Sequence, residues 1–194
     1  MVGSRRLSDD VIEISGGKQP SSNVYLIISK NMLVDLGNKE NSEEITNELN
    51  KYTKLADIKT IVFTHLHYDH TGNPLLLKDA EFYASKEEIE FLKTYAKFAD
   101  ASIFKNIMLK VLKEKIEGLK VIKTPGHSNG SICLWKEDDK ILFTGDTLFR
   151  TGAIGRTDLP TSRPEKMQSS LIKLLKYDYK EIAPGHNLEH GRLL

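Results

Sequence analysis

The sequence predicts a layered protein of the α/β (α+β) class, built from two similar halves. Three observations predict it: short apolar runs bounded by turn residues, amphipathic stretches of helical periodicity between them, and the return of this order in the second half. The 194 residues contain no repeat or linker-like stretch that would mark a boundary. We therefore expect one domain over residues 1–194.

In the first half, three apolar runs punctuated by Gly16 and Gly17 predict consecutive strands at Val11–Ile14, Asn23–Ser29 and Met32–Asp35. A helix is predicted from Ser42 to about Tyr52, because Ile45 and Leu49 share one helical face. A buried strand is then predicted at Lys59–Thr64.

In the second half, residues 85–118 show helical spacing after an acidic first turn and predict a pair of packing helices. Apolar runs then predict strands at Leu119–Thr124, Ser131–Trp135 and Lys140–Thr144. A helix from about Arg163 to Lys176 and a short strand at Glu181–Ala183 complete the prediction.

Composition narrows the classes of partner and compartment. Lys and Arg number 28 against 27 Asp and Glu, so a net charge of +1 gives no general attraction to nucleic acid or anionic membranes. The longest apolar run, Val24–Ile28, is far too short to span a bilayer, and the N-terminus lacks a signal-peptide core. The single cysteine, Cys133, fits a reducing compartment. We expect a cytoplasmic protein without nucleic-acid or membrane partners; its oligomeric state is left open.

The most informative feature is the placement of the six histidines. Three of them, with an aspartate, fall in the segment His65-Leu66-His67-Tyr68-Asp69-His70, directly after a predicted strand. Imidazole and carboxylate together suit zinc, iron and related divalent ions. A lone histidine is usually a packing or surface residue, but this density indicates a metal site.

Further metal-competent side chains follow other predicted strands, in Pro125-Gly126-His127, Gly145-Asp146 and Pro184-Gly185-His186. Loops at strand ends converge on one edge of a sheet, so we expect these side chains to meet the first cluster. Only His190 falls outside these segments, and we interpret it as a solvated residue near the end of the sequence.

Taken in order, these segments resemble the signature of the metallo-β-lactamase fold superfamily. The resemblance is carried by His65 to His70 with Gly72, Pro125-Gly126-His127-Ser128, Gly145-Asp146-Thr147-Leu148-Phe149 and Pro184-Gly185-His186. Within the superfamily they most resemble the hydroxyacylglutathione hydrolase, or glyoxalase II-like, branch. The resemblance implies a four-layer αββα sandwich with the metal site along one edge.

The resemblance also implies two divalent metal ions, Zn²⁺ first and Fe or Mn as alternatives. One ion would be held by His65, His67 and His127, and the other by Asp69, His70 and His186. Asp146 would bridge them, and Asp69 and Asp146 would be the catalytic carboxylates. A hydroxide bridging the two ions would then attack the substrate carbonyl.

Three more residues have two interpretations each. By resemblance, Asp35 orients a ligand imidazole; otherwise it forms a turn before Gly37. Tyr68 either faces the substrate or covers the site. Arg156 matches a basic position that helps to hold glutathione, and an arginine fork suits a carboxylate, but it could equally pair with Asp158.

The leading functional hypothesis is a dinuclear hydrolase of a small-molecule thioester of the hydroxyacylglutathione type. The main alternative is a mononuclear iron persulfide dioxygenase that uses only His65, His127 and Asp146. That branch usually has a cysteine where Ile154 stands. A ribonuclease Z-like phosphodiesterase and a non-catalytic binding module are the other classes. Without the C-terminal extension of glyoxalase II, we expect the glutathione site to be absent or rebuilt from the predicted helices of residues 86–117.

Overall fold

A computed structural model of the chain describes residues 1–94, 102–189 and 192–193. The strands of its seven-stranded sheet, in spatial order, are β1 (Val2–Arg6), β2 (Val11–Gly16), β3 (Val24–Ile27), β4 (Met32–Val34), β5 (Thr60–Val62), β6 (Glu81–Ala84) and β7 (Leu109–Val111). Those of its five-stranded sheet are β8 (Lys115–Ile116), β9 (Leu119–Lys123), β10 (Ile132–Lys136), β11 (Ile141–Gly145) and β12 (Glu181–Pro184). A two-stranded ribbon consists of β13 (Leu188–Glu189) and β14 (Arg192–Leu193).

Within the described residues, the α-helices are α1 (Ser42–Leu49), α2 (Tyr68–Thr71), α3 (Lys86–Thr94) and α4 (Pro164–Leu174). Neighbouring strands from β1 to β4 pair antiparallel, as do those from β8 to β11. Strands β4 to β7 pair parallel, as do β11 and β12. Parallel neighbours need long crossovers, and helices α1 and α4 lie in two of them.

Both faces of the first sheet carry apolar side chains. Successive residues of a strand point to opposite faces, so its continuous apolar runs cover both. On one face, Ile12 and Leu26 pack in a cluster with Ile45 and Leu49 of α1. On the other face, the neighbouring residues of the same strands pack against the second sheet. The first sheet is therefore covered by helix on one side and by sheet on the other.

The second sheet repeats this arrangement. Its inner face contributes Leu134 and Phe143 to the cluster between the sheets, where the rings of Phe143 and Tyr25 pack edge-to-face with centroids 5.3 Å apart. Its outer face contributes Cys133 and Leu142 to a cluster with Leu174 of α4. The layers thus follow the order helix, sheet, sheet, helix, which confirms the predicted αββα sandwich.

Most predicted elements are present, but the prediction of two helices between residues 85 and 118 is wrong in its second part. Helix α3 forms, residues 95–101 lie outside the described residues, and β7 and β8 follow. The apolar spacing there reflects strand pairing, because Leu109 pairs with Phe82 of β6 and packs against the same core cluster. A hairpin then joins β8 to β9 through Glu117 and Gly118, both with positive φ.

Strands β1 and β6 were not predicted. Strand β1 lies at the edge of its sheet with three of its five residues exposed, and its sequence lacks a continuous apolar run. Within the described residues, no helix is long and apolar enough to cross a membrane.

Candidate metal centre

The loops that follow four strands bring seven metal-competent side chains together. The loop after β5 supplies three histidines and one aspartate, and the loops after β9, β11 and β12 supply one side chain each. Their ligand atoms form three overlapping groups, each within 4.8 Å: His65, His67 and His127; His65, His70 and Asp146; Asp69, His70 and His186. These are the seven residues predicted as metal ligands, and the shared members join them into one continuous cluster.

Three of the five imidazoles are held by a scaffold oxygen on the nitrogen that faces away from the cluster. His127 Nδ1 lies 2.8 Å from the Arg156 carbonyl, and His186 Nδ1 lies 3.1 Å from the Ser21 carbonyl. His70 Nδ1 lies 2.9 Å from the carboxylate of Asp35. Because these oxygens accept, each Nδ1 donates its proton, and in the neutral ring Nε2 is then a lone pair directed into the cluster.

Threonine hydroxyls flank the other two rings. His65 Nδ1 lies 3.2 Å from Thr64 Oγ1, and His67 Nε2 lies 3.2 Å from Thr161 Oγ1. His67 thus turns its Nδ1 inward, where it lies 2.9 Å from His127 Nε2. Each of the five histidines therefore keeps one nitrogen on the scaffold and presents the other to a common centre.

Asp146 lies between the two halves of the cluster. Its Oδ1 is 3.3 Å from His70 Nε2, while its Oδ2 is 3.5 Å from His127 Nε2 and 3.6 Å from His186 Nε2. Asp69 is further out, with Oδ2 3.3 Å from His186 Nε2. One carboxylate thus faces both halves of the cluster, as a bridging ligand would.

Several of these atoms are buried without a hydrogen bond. Among the described residues, His65 Nε2, His70 Nε2 and Asp146 Oδ1 are fully enclosed and make none. Leaving a buried polar atom unsatisfied costs about 1–3 kcal/mol each, so native structures rarely tolerate three at one point. Lone pairs of imidazole and carboxylate aimed at one another are the donor set of a divalent cation, and the residues fit such an ion.

Burial and neighbouring charges divide the histidines into two kinds. Burial, together with the adjacent imidazoles, lowers the pKa of His65 well below its usual value and that of His67 to about 3. Burial also opposes charge on His70, but Asp35 and Asp146 outweigh it and raise the pKa of His70. The neutral rings at His65 and His67 keep their lone pairs available at physiological pH.

The two aspartates of the cluster are carboxylates. Burial favours the protonated form of Asp146, but the imidazoles of His186 and His70 outweigh it and lower its pKa. Burial likewise opposes ionisation of Asp69, and the hydrogen bond from His186 with the charge of His70 lowers its pKa. Both side chains therefore offer anionic oxygens to a cation.

Asp35 lies beneath the cluster and contacts His70 directly. It adopts a left-handed backbone with φ of 57°, unusual for a residue other than glycine. Its carboxylate also accepts hydrogen bonds from the backbone N–H and the hydroxyl of Thr64, at 2.8 and 2.7 Å. A strained backbone persists only where surrounding contacts hold it. Here the Asp35 carboxylate is held by Thr64, and its contact with His70 Nδ1 fixes the orientation of that ring.

Close backbone approach explains two of the glycines around the cluster. A Cβ on Gly185 would lie 2.1 Å from Asp146 Oδ1, and one on Gly155 would lie 2.0 Å from the Asp146 carbonyl oxygen. Side chains at either position would displace Asp146. The glycines are therefore part of what places this carboxylate.

The other predicted site residues lie at the surface. The guanidinium of Arg156 pairs with both oxygens of Asp158 at 2.7 and 2.8 Å, and 63% of its side chain is exposed. Only its backbone carbonyl contacts the cluster, through His127. Tyr68 is 49% exposed at the start of α2, next to Asp69. His190 lies outside the described residues.

Sequence reasoning missed the residues that support the loops. Thr161 contacts His67, and the Ser162 hydroxyl donates to the His127 carbonyl at 2.7 Å. Glu88, predicted as part of an acidic helix start, is buried beneath two of the loops. These contacts join distant parts of the chain, and no local pattern marks them.

Comparison with known proteins yields relatives over most of the chain. A probable metallo-hydrolase of Methanocaldococcus jannaschii is 33% identical over 184 residues, covering 86% of this chain and 87% of that protein. The hydroxyacylglutathione hydrolase GloC of Haemophilus influenzae is 33% identical over 135 residues, covering 61% of this chain and 63% of that protein.

The fold is shared with solved structures. The crystal structure of TTHA1623 in a di-iron-bound form superposes with a TM-score of 0.72 and 26% identity, over 90% of this chain and 91% of that one. The family model of the metallo-beta-lactamase superfamily matches residues 17–186, which include all seven side chains of the cluster. The chain therefore belongs to the metallo-beta-lactamase superfamily.

Proposed function

We propose that the protein is a dinuclear metallohydrolase that cleaves a small thioester of the hydroxyacylglutathione type. One observation supports it above the others: seven imidazole and carboxylate groups meet at one point, and Asp146 faces both halves of the cluster. A mononuclear site needs only three such ligands. Seven convergent donors are more than one ion requires.

The cluster divides naturally into two sites. His65, His67 and His127 would hold one ion, Asp69, His70 and His186 the other, and Asp146 would contribute to both. The solved neighbour with a di-iron centre and the relatives named as metallo-hydrolases support this assignment. The imidazole-rich donor set favours Zn²⁺, with Fe and Mn as alternatives that the same ligands accept.

Two bound divalent ions would supply an activated water at neutral pH and polarise the scissile carbonyl. The residues themselves fix the geometry for this chemistry. Asp35 and the carbonyls of Ser21 and Arg156 hold three rings in one orientation, so little reorganisation is needed during turnover. Asp69 and Asp146 are the proposed catalytic carboxylates. Asp69, with 15% of its side chain exposed against 10% for Asp146, is the better placed to exchange a proton with solvent.

The thioester class rests on chemistry and on a partial relative. A thiolate leaves readily because the pKa of a thiol is about 8.5, so no strong general acid is needed at the leaving group. GloC is named as a hydroxyacylglutathione hydrolase, but this chain covers only 63% of it.

The function is tested with a panel of thioesters and metal-loaded protein. We expect hydrolysis of hydroxyacyl thioesters that is lost on chelation and restored by Zn²⁺. Oxygen consumption with a persulfide substrate and one iron per chain would instead support the dioxygenase. No turnover of any thioester by fully loaded protein would contradict the proposed substrate class.

Arg156 provides a test of substrate recognition. If its guanidinium binds a substrate carboxylate, Arg156→Ala raises KM for anionic thioesters by about tenfold or more, the effect of one lost charge-assisted hydrogen bond. Neutral thioesters are expected to be almost unaffected, because the backbone carbonyl that orients His127 remains. Steady-state kinetics on both substrate types measure the difference.

Asp158→Asn is the matched variant, since it weakens the pairing of Arg156 without removing it. We expect it to lower KM for anionic thioesters. An equal loss on both substrate types in Arg156→Ala, with a lower melting temperature, would make the Arg156–Asp158 pair structural and remove Arg156 from the binding site.

A further inference from the structure

We infer that Glu88 is the positioning residue for one half of the metal centre, the half formed by His65, His67 and His127. Glu88 lies on α3, outside all the segments that supply the cluster, and only 2% of it is exposed. Its Oε2 accepts a hydrogen bond from the backbone N–H of Leu66 at 2.8 Å. Its Oε1 accepts from the Ser128 hydroxyl at 2.7 Å and from the Gly130 N–H at 3.0 Å.

These three donors lie in the two loops that carry this half. Leu66 stands between His65 and His67, so its peptide fixes the spacing of both rings. Ser128 directly follows His127 and also contacts Ser131 across the loop. One carboxylate thus joins the loop after β5 to the loop after β9, and holds their imidazoles within reach of one ion.

Around Glu88, helix α3 packs closely against the loop after β9. A Cβ on Gly130 would lie 2.7 Å from Glu88 Cγ and from the Glu88 backbone nitrogen. The Ser85 hydroxyl, one turn earlier, donates to the Gly130 carbonyl at 2.7 Å and accepts from the Glu88 N–H. The loop after β9 therefore lies directly on the start of α3.

Burying the Glu88 carboxylate among neutral donors costs free energy, and a side chain that only filled space would not carry this cost. Burial raises the pKa of Glu88, and the hydrogen bonds from Ser128, Leu66 and Gly130 act against it. A buried apolar residue would fill the same space without that penalty. The two loops need these acceptor oxygens, because without them each loop would have a buried backbone N–H with no hydrogen-bond partner.

The other half of the cluster has a different support. His70 is oriented by Asp35 and His186 by the Ser21 carbonyl, and the described hydrogen bonds of Glu88 reach neither ring nor Asp69. Glu88 therefore binds the two loops of one half directly, whereas Asp35 contacts a ring of the other half and reaches His65 only through Thr64. Changing Glu88 should weaken one metal equivalent and spare the other; this inference rests on the proposed two-site assignment.

The test is a titration of metal-free protein with Co²⁺, in which absorption spectroscopy monitors binding. We expect the original sequence to bind two equivalents, that is, two Co²⁺ ions per chain. Glu88→Gln keeps the size of the side chain but turns an amide NH₂ toward one of the three donors. It should weaken one equivalent by about 10- to 100-fold, as for other groups that orient ligands. Glu88→Asp should recover part of the loss.

Glu87→Gln is the control, because Glu87 is on the same turn of α3 and pairs with Lys123 at the surface. It should leave both equivalents unchanged. Combination with ligand variants identifies the affected site. In a His70→Ala background Glu88→Gln should weaken the remaining equivalent, whereas in a His127→Ala background it should have no effect.

The possible failures can be told apart. If the original sequence binds fewer than two Co²⁺ ions, the two-site assignment itself is wrong. If it binds two, and Glu88→Gln weakens both equally or neither, the role of Glu88 is overturned. Should Glu88→Gln fail to fold, Ser128→Ala removes one of the same hydrogen bonds and should weaken the same equivalent to a smaller degree; no weakening there would overturn the inference.

Discussion

Replacing Asp146 with asparagine is expected to reduce bound metal from about two ions per chain to one or fewer, with hydrolysis falling at least about 100-fold. The amide keeps the shape of the side chain but removes the negative charge that faces both halves of the cluster. Two cations a few ångströms apart repel each other, and neutral imidazoles cannot offset that repulsion. Metal analysis and kinetics on the same preparation measure both effects.

Asp138→Asn makes the same chemical change on an exposed residue of the turn between β10 and β11, and it is expected to alter neither quantity. Its behaviour separates the loss of a bridging charge from any general effect of lost negative charge. Near-normal rates and full metal content in Asp146→Asn would show that Asp146 does not bridge.

The His70→Ala variant is expected to lose the second metal equivalent and to lower thioester hydrolysis by about 1,000-fold or more. His70 is fully buried, and its two nitrogens face Asp35 and Asp146. Although His70 belongs to an edge loop, its buried contact with Asp35 indicates that stability also falls.

Removing the imidazole leaves Asp35 with only the two hydrogen bonds from Thr64. A lost hydrogen bond to a buried charged group costs about 1.5–3 kcal/mol, which corresponds to a fall in melting temperature of several degrees. The double variant Asp35→Asn/His70→Ala should recover part of that loss but none of the activity. Unchanged turnover of metal-replete His70→Ala would contradict the dinuclear assignment.

The sequence predicted the cluster because strand ends are locally marked. Apolar runs end at Thr64, Thr124, Thr144 and Ala183, and a metal-competent side chain follows each within a few residues. Since such loops share one edge of the sandwich, local patterns were enough to group residues more than 100 positions apart. The return of apolar runs and amphipathic stretches in the second half likewise indicated the layered fold.

The supporting contacts could not be predicted in this way. The local sequence around Glu88 is that of an ordinary acidic first turn of a helix. Only the folded chain shows that Glu88 lies beneath Leu66 and Ser128. Strand β7 was predicted as helix because its local apolar spacing is helical. Its pairing with β6, more than 20 residues away, outweighs that local propensity. Long-range hydrogen bonds and strand pairs leave no periodic trace in the sequence.

The central claim, a two-metal hydrolytic site, is tested most directly by titrating metal-free protein with Zn²⁺ while following thioester hydrolysis. Binding should saturate at about two ions per chain, with activity appearing only as the second site fills. Saturation at one ion with full activity would contradict the dinuclear account, and two bound ions without hydrolysis of any thioester would contradict the proposed reaction.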